Sequence, residues 1–566
     1  MAFLTACGLQ QDQVPVGEQI TLQQLNEQSI SQPVLLPVLS PPPEVGEAQY
    51  QFSGTLTLKV QQAARYFNVI TDHYGYSQNA GLRSHWLPSI SLQFVEDNGV
   101  LFPVTRGTIT TEHPHWDYIF EPGQVWQQSS DQGYSRALIP FALQEKNANC
   151  LHNGLLTFLF DSKGFISNTY YQISNESCHY FQFDASGFMA TKYTPEAVTT
   201  SADMQSQQHR YRHVQAETQD LQQLLAAFPN ADIAALAGKR DMAAADISVA
   251  GLIIADQHYR SSCPTRYGDH PLCQSLSLPS YSLAKSYFAA FALHAMAREI
   301  ANLEQQLVSD WVNECAGDEW RGVTLANLVN MNTGLYHSKV YMADEDAKAT
   351  EALFFDATTH QSKITYACSG YSRKQRPGSQ FIYHTSDTYI LGTALARMYQ
   401  QHIASSKDWF ADYVVPRIFR PIGLSPSNWV TRRTQDALAQ PFTGWGLTLL
   451  PEDIVALSGA VVGNKTTATG LEADETIIDK ALARITRANA PERINKYLAY
   501  AEGFWFRDIA ADLNCKQPVW VPFMSGYGGI TVAFLPGKVT YYVFADGQSY
   551  QWQQALRAIH KFNKLC

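Results

Sequence analysis

Much is scarce or missing in this 566-residue chain, and each gap excludes something. Only 16% of residues are charged, the net charge is −10, and no basic patch occurs, which argues against a nucleic-acid partner. No run of about eighteen apolar residues exists, so no stretch reads as a membrane-spanning helix. The cysteines show no C-x-x-C and no zinc-type spacing, and no metal or organic cofactor is implied. No G-x-S-x-G occurs, which disfavours an α/β-hydrolase. No internal repeat is visible.

What is present fits packed globular domains: 45% apolar and 12% aromatic residues, over a length that allows two or three domains. The nine cysteines include Cys7. The other eight, Cys150, Cys178, Cys263, Cys273, Cys315, Cys368, Cys515 and Cys566, form an even, scattered set that suits disulfides in an oxidising compartment. Connectivity is not fixed by sequence. Sequential pairing is the expectation, because each bridge then closes a loop within one domain. Leu4-Thr5-Ala6-Cys7 resembles the lipobox of a bacterial lipoprotein, without the positive and apolar parts of a full signal peptide. It predicts a periplasm-facing protein in the bacterial cell envelope, with a membrane tether through lipidated Cys7. A chance Leu-Thr-Ala-Cys is the alternative.

Composition divides the chain into four parts. Residues 1–46, rich in Gln, Pro and Val, read as that N-terminus followed by an extended tether. Residues 47–200 hold short β-branched and aromatic runs, such as Gln51 to Val60 and Gly154 to Phe160, separated by turn signals at Asp97-Asn-Gly99, Glu121-Pro-Gly123 and Ser162-Lys-Gly164. They predict a mostly β, sandwich-like domain whose role the sequence does not reveal. Its His113, His115, Trp116 and Asp117 read as structural, since no second ligand cluster completes a metal site. Residues 201–245 read as a helical connector. Residues 246–566 mix strands and helices.

The chemistry centres on Leu278 to Ile300. Pro279 and Ser280 are turn and cap residues, and apolar positions then recur at helical spacing. Ser282 and Lys285 stand three apart, so hydroxyl and ammonium share a face and can touch. Burial disfavours a charged lysine, and a neutral amine beside a hydroxyl is a base beside a nucleophile. A capping serine with a lysine stem lying along the core is the competing reading.

Two later elements bear on that choice. Tyr383 opens the segment Tyr383-His-Thr-Ser-Asp-Thr388 ahead of an apolar helix. Beside a lysine its phenol could ionise in part, and take or pass a proton. Met524-Ser-Gly-Tyr-Gly-Gly-Ile530 leads into an apolar strand. Its glycines allow backbone to approach a ligand and a strand edge to offer an N–H to an oxyanion; a hairpin turn or bulge is the alternative.

In this order the three elements resemble those of the serine β-lactamase and penicillin-binding-protein superfamily: Ser-x-x-Lys, Tyr-x-Asn, then Lys-Thr-Gly on a strand. They are closest to the β-lactamase-related serine hydrolases, which include class C β-lactamases, family VIII carboxylesterases and 6-aminohexanoate-dimer hydrolases. Val323 to Leu335, Gly444-Trp-Gly-Leu447 and Pro451 to Leu457 resemble further segments of that family. The resemblance covers about residues 245 to 566. It implies an α+β fold: a β-lactamase/transpeptidase-like domain, an antiparallel sheet flanked by helices, preceded here by the mostly β domain. Ser282 would be the acyl-forming nucleophile, Lys285 its base and Tyr383 a second acid/base. The N–H groups of Ser282 and Ile530 would form the oxyanion hole. Tyr527, Gly528, Gly529, Thr385 and Asp387 would face substrate. Thr385 stands where class C enzymes have asparagine, and Tyr527 where they have the lysine of Lys-Thr-Gly. Lys465-Thr-Thr467 and Ser386-Asp-Thr388 are near-matches to family motifs but sit in the wrong context.

The implied activity is hydrolysis of a small ester or amide through an acyl-enzyme on Ser282. The alternatives are a D,D-peptidase or β-lactamase acting on peptidoglycan peptides or β-lactams, and an inactive envelope binding protein. The partner is a small-molecule or peptide-like substrate, and the oligomeric state is not legible.

Overall fold

The computed structural model describes residues 19–42, 45–60, 67–73, 75, 86–403, 408–462 and 476–566. The lipobox-like Cys7 and the Lys465 near-motif lie outside the described residues. No described helix is long and apolar enough to cross a membrane.

The N-terminal β domain is a closed barrel, not the expected sandwich. Its ten strands run from Ser53 to Pro195, and every pairing is antiparallel. Ser53–Lys59 pairs with Ile90–Asp97 on one side and Phe183–Pro195 on the other, so the sheet returns to its own first strand. Asn68–Asp72 and Trp116–Phe120 are appended to the ring. Closure follows from strand alternation. Along Ser135–Glu145, the residues Ala137, Ile139, Phe141 and Leu143 point into one apolar cluster with Phe52, Phe94, Phe120, Phe158 and Tyr171. A small ring is just wide enough for its own side chains to fill, so this interior is packed.

Outward residues Leu138, Leu155, Leu159, Tyr170 and Phe188 are covered by Ile20, Leu25, Val34, Leu36 and Leu39. Described residues 19–42 are therefore folded, contrary to the tether expected there. Thr21 caps the helix Leu22–Glu27 in a capping box, and Arg136 donates to the Ile20 carbonyl at 2.6 Å.

The second sheet has eight strands, ordered Gln219–Asp220, Gln257–Arg260, Ile247–Ile254, Val539–Ala545, Ile530–Leu535, Trp520–Gly526, Phe504–Asp508 and Leu498–Ala501. All pairs are antiparallel except the short Gln219–Asp220 edge. Alternate residues feed two cores. Leu252, Tyr541 and Val543 meet Leu556 and Ile559 of the C-terminal helix Gln553–Phe562, while Val249, Val532, Tyr542 and Phe544 face the helical region that contains Ser282.

Barrel and C-terminal region share buried polar contacts. The Arg432 guanidinium pairs with Asp117 and donates to the carbonyls of Gln144, Glu145 and Ala148. Glu121 pairs with Arg106 and accepts from Ser427. His113 is held as an acceptor from the N–H groups of His115 and Trp116, and burial pushes its pKa down to about 4, as befits a structural imidazole. The disulfides are sequential: Cys150–Cys178, Cys263–Cys273, Cys315–Cys368 and Cys515–Cys566.

Candidate active site

Ser282 sits in the helical turn Tyr281–Leu283, just before a wider π turn over Lys285–Ala290. Such turns are uncommon and frequently lie at functional sites, although this chain has two more, at Glu351–Phe355 and Phe410–Phe419. Tyr281 holds φ at 39°, a left-handed conformation that bulky residues avoid. Its N–H is taken by Asn149 of the barrel at 2.8 Å.

Lys285 is 2% exposed, and its Nζ lies 2.8 Å from Ser282 Oγ and 3.1 Å from the Gly444 carbonyl. Burial lowers its pKa to about 7, against a smaller upward pull from Glu345. The amine is thus deprotonated in a good fraction of molecules near neutrality. Gly444 has no room for a side chain, since a Cβ there would come within 2.3 Å of Thr388 Oγ1 and 3.5 Å of Lys285 Nζ.

Tyr383 lies on the other side of Lys285, whose Nζ is 5.1 Å from its ring centroid. The phenol is buried and stacks on Trp505 at 5.7 Å. Burial raises its pKa well above the ordinary tyrosine value, and the charge of Glu345 raises it further. The expected partial phenolate is reversed. A lysine that is itself half neutral cannot offset that desolvation, and Tyr383 is a neutral phenol.

The 524–530 segment reaches the same turn from the sheet. Its closest backbone is Gly526, where a Cβ would lie 2.9 Å from Leu283 Cδ1 and 3.1 Å from the Ser280 carbonyl. The ladder with Phe504–Asp508 ends at Phe523, so the edge beyond it is left to the turn that carries Ser282. Ile530 is the buried partner of Gly526 across the hairpin, one strand removed from that contact.

Several expectations need correction. Residues Met524, Ser525 and Gly526 form the triplet on the strand, whereas Tyr527 lies in the turn after it. Neither Met524 nor Tyr527 is a lysine. Gly528 and Gly529 hold φ of 95° and 118°, but the backbone they admit is the chain's own. A Cβ at Gly529 would come 2.5 Å from the Ser549 carbonyl, and one at Gly528 3.1 Å from that of Ala545. Tyr527 alone of this turn is exposed: 41% of it is accessible, its ring lies 5.7 Å from that of Tyr281, and its hydroxyl accepts from Gln548.

Thr385 and Asp387 are held inside the protein rather than on its surface. Both are buried in the first turn of the helix Thr385–His402. The Thr385 N–H and hydroxyl both donate to Glu345. Asp387 lies 4.0 Å from His384, and burial raises its carboxyl pKa to about 7.

Glu345 and Asn149 escaped the sequence reading. Asp344 accepts from His337 N–H and Ser338 N–H and pairs with His384, so Asp344 and Glu345 together pin His384-Thr385 and, with it, Tyr383. A run of three acidic residues, Asp344-Glu-Asp346, in an irregular segment carries no sequence signal for that role.

An antiparallel sheet between helical layers, with a lysine-bonded serine at its edge, is the architecture of the serine β-lactamase/transpeptidase-like proteins. Residues 277–472 match the family model described as Beta-lactamase. That segment is a serine β-lactamase-family hydrolase domain, and the barrel lies outside the match. The chain is similar to a D-stereospecific amidohydrolase from Streptomyces sp. at 14% identity, covering 58% of this chain and 98% of that one, with a TM-score of 0.39. It is similar to a penicillin binding protein from Bacillus halodurans at 18% identity, covering 55% and 97%, with a TM-score of 0.40. A class C beta-lactamase matches at 14% identity, covering 56% and 90%, with a TM-score of 0.37. No curated protein matches the chain.

Proposed function

We propose that the protein hydrolyses a small ester or amide through an acyl-enzyme on Ser282. The observation that carries this reading is the 2.8 Å contact between Ser282 Oγ and a buried Lys285 amine whose pKa falls to about 7. Neutral Lys285 accepts the hydroxyl proton as Oγ bonds to the acyl carbon, and the carbonyl electrons move onto oxygen. The Ser282 N–H and the strand edge at Gly526 are the donors for that oxyanion, in place of the more distant Ile530. As the tetrahedral centre collapses, the leaving group departs with a proton from Tyr383, replenished from the Lys285 ammonium. Water then repeats the sequence on the acyl-enzyme and regenerates Ser282.

Tyr527 in place of the family's lysine weighs against substrates recognised through a carboxylate, hence against efficient β-lactam or D,D-peptide turnover. The charges of Asp346 and Glu351 act on the exposed Tyr527, and both are negative. Four disulfides support an oxidising compartment, and the lipobox-like Leu4 to Cys7 supports attachment to the cell envelope.

A panel of p-nitrophenyl esters, D-amino-acid amides and a chromogenic β-lactam, run on wild type and Ser282→Ala, tests the proposal. Ester or amide turnover that disappears in Ser282→Ala supports it. Equal turnover by both proteins overturns it.

A further inference from the structure

Asn149 belongs to the barrel, in the turn between the strands Ser135–Glu145 and Leu151–Phe160. Its side chain nevertheless lies under the nucleophile turn, more than a hundred residues along the chain. It is 1% exposed, and every polar atom of its amide is engaged there. Oδ1 accepts from Tyr281 N–H at 2.8 Å, from Gly446 N–H at 3.0 Å and from Ser280 Oγ at 3.1 Å. Nδ2 donates to the Leu447 carbonyl at 3.1 Å.

These partners are the two segments that set the reactive pair. Tyr281 is the strained residue immediately before Ser282, and Gly446-Leu447 continues the turn whose Gly444 carbonyl receives Lys285. The two segments also bond each other, through Ser280 N–H to the Leu447 carbonyl at 2.9 Å and Leu447 N–H to Ser280 Oγ at 3.1 Å. One buried amide thus ties the backbone carrying the nucleophile to the backbone seating its base. A residue held in a left-handed conformation persists only where its surroundings over-determine it, and the Asn149 bond to the Tyr281 N–H supplies part of that.

The barrel side of this contact is itself braced. Cys150, next in sequence, is bridged to Cys178, and the Ser177 carbonyl lies 3.4 Å from the Tyr281 hydroxyl. His179 packs edge-on against Tyr527 at 6.1 Å. Asn149 to Cys150 and Ser177 to His179 therefore form one wall of the site.

We infer that Asn149 is a positioning residue for the hydrolysis, and that the barrel completes the active site rather than being an independent module. This rests on the reading of Ser282 as nucleophile. The geometry makes a specific demand: the side chain must offer an oxygen acceptor at the reach of asparagine. Aspartate keeps that acceptor but turns a second oxygen toward the Leu447 carbonyl, which it can satisfy only as the protonated acid; alanine and serine cannot span the three donors.

The test uses the full chain. Wild type, Asn149→Ala, Asn149→Ser and Asn149→Asp are compared for the second-order rate of labelling by a fluorophosphonate, and for kcat and KM on a p-nitrophenyl ester. Asn149→Ala and Asn149→Ser are expected to slow labelling and kcat by about ten- to a hundredfold, the range in which small misplacements act, with KM changed by less than about threefold. Asn149→Asp is expected to recover most of that loss. Wild-type rates in the truncated variants, a loss confined to KM, or an aspartate variant as slow as alanine would each overturn the inference. If Asn149→Ala does not fold by circular dichroism, Asn149→Ser is judged by the same criteria. Ser282→Ala in the same labelling assay separates the two claims: an adduct there refutes the nucleophile itself, whereas its absence together with an unaffected Asn149→Ser refutes only the role of Asn149.

Discussion

Glu345 receives both the backbone N–H and the hydroxyl of Thr385, and the same carboxylate acts on Lys285 and Tyr383. One side chain so fixes the helix start that follows Tyr383 and sets the electrostatics of the reactive pair. Its negative charge favours the ammonium form of Lys285, opposing the larger effect of burial.

A pH profile follows from that balance. If acylation requires the neutral amine, kcat/KM should rise with pH along a single limb centred near 7, falling about tenfold per unit below it. Removing the charge in Glu345→Gln, which can still accept from Thr385 N–H, takes away the upward pull on Lys285. The limb should move to lower pH. A limb that stays in place, or moves to higher pH, contradicts the assignment.

Tyr383→Phe keeps the stack on Trp505 and loses only the hydroxyl. As the proton donor to the leaving group, that hydroxyl should be worth about 10²–10⁴ in kcat. The loss should shrink for esters whose leaving groups depart without protonation. Steady-state rates on p-nitrophenyl and alkyl esters of the same acid check this, and an equal loss on both would show that Tyr383 does not protonate the leaving group.

Gly526→Ala would drive a Cβ against Leu283 and the Ser280 carbonyl. Relief requires the strand end and the Ser282 turn to part, at a cost of about 1–3 kcal/mol, the usual range for overpacking. Chemical denaturation should report that loss, and ester turnover should fall with it. A variant with unchanged stability and turnover would show that the two backbones are not in firm contact.

Charge around Tyr527 makes a prediction about substrates. Burial, then the carboxylates of Asp346 and Glu351, raise the pKa of the Tyr527 hydroxyl. Of two matched esters, the one bearing an amine should show the higher kcat/KM, and the one bearing a carboxylate the lower. Asp346→Asn should narrow the ratio, as should added salt, which screens exposed charges. A preference for the carboxylate ester would be the contrary result.

Local chemistry explains which parts of the site were legible. Ser282 and Lys285 are three residues apart on one helical segment, so spacing and apolar surroundings expressed both their contact and the lowered pKa. The segment after Gly378 announces Tyr383 but not its ionisation, because burial by Trp505 and Tyr500 depends on strands far along the chain. Gly528 and Gly529 were legible as glycines that need special backbone. Sequence could not show that the Ala545 and Ser549 carbonyls, not a ligand, require it. Barrel closure was hidden for the same reason: strand alternation in Ser53–Lys59 looks identical whether it has one partner strand or two. Asn149 is the extreme case, since nothing near it in sequence hints at a contact with Tyr281.

The most direct test of the whole account is intact-mass and peptide-level mass spectrometry of wild-type protein quenched during ester turnover. An acyl group of the substrate's mass, located on Ser282 and absent from Ser282→Ala, is the predicted result. Continued turnover with no adduct, or an adduct on another residue, would contradict it.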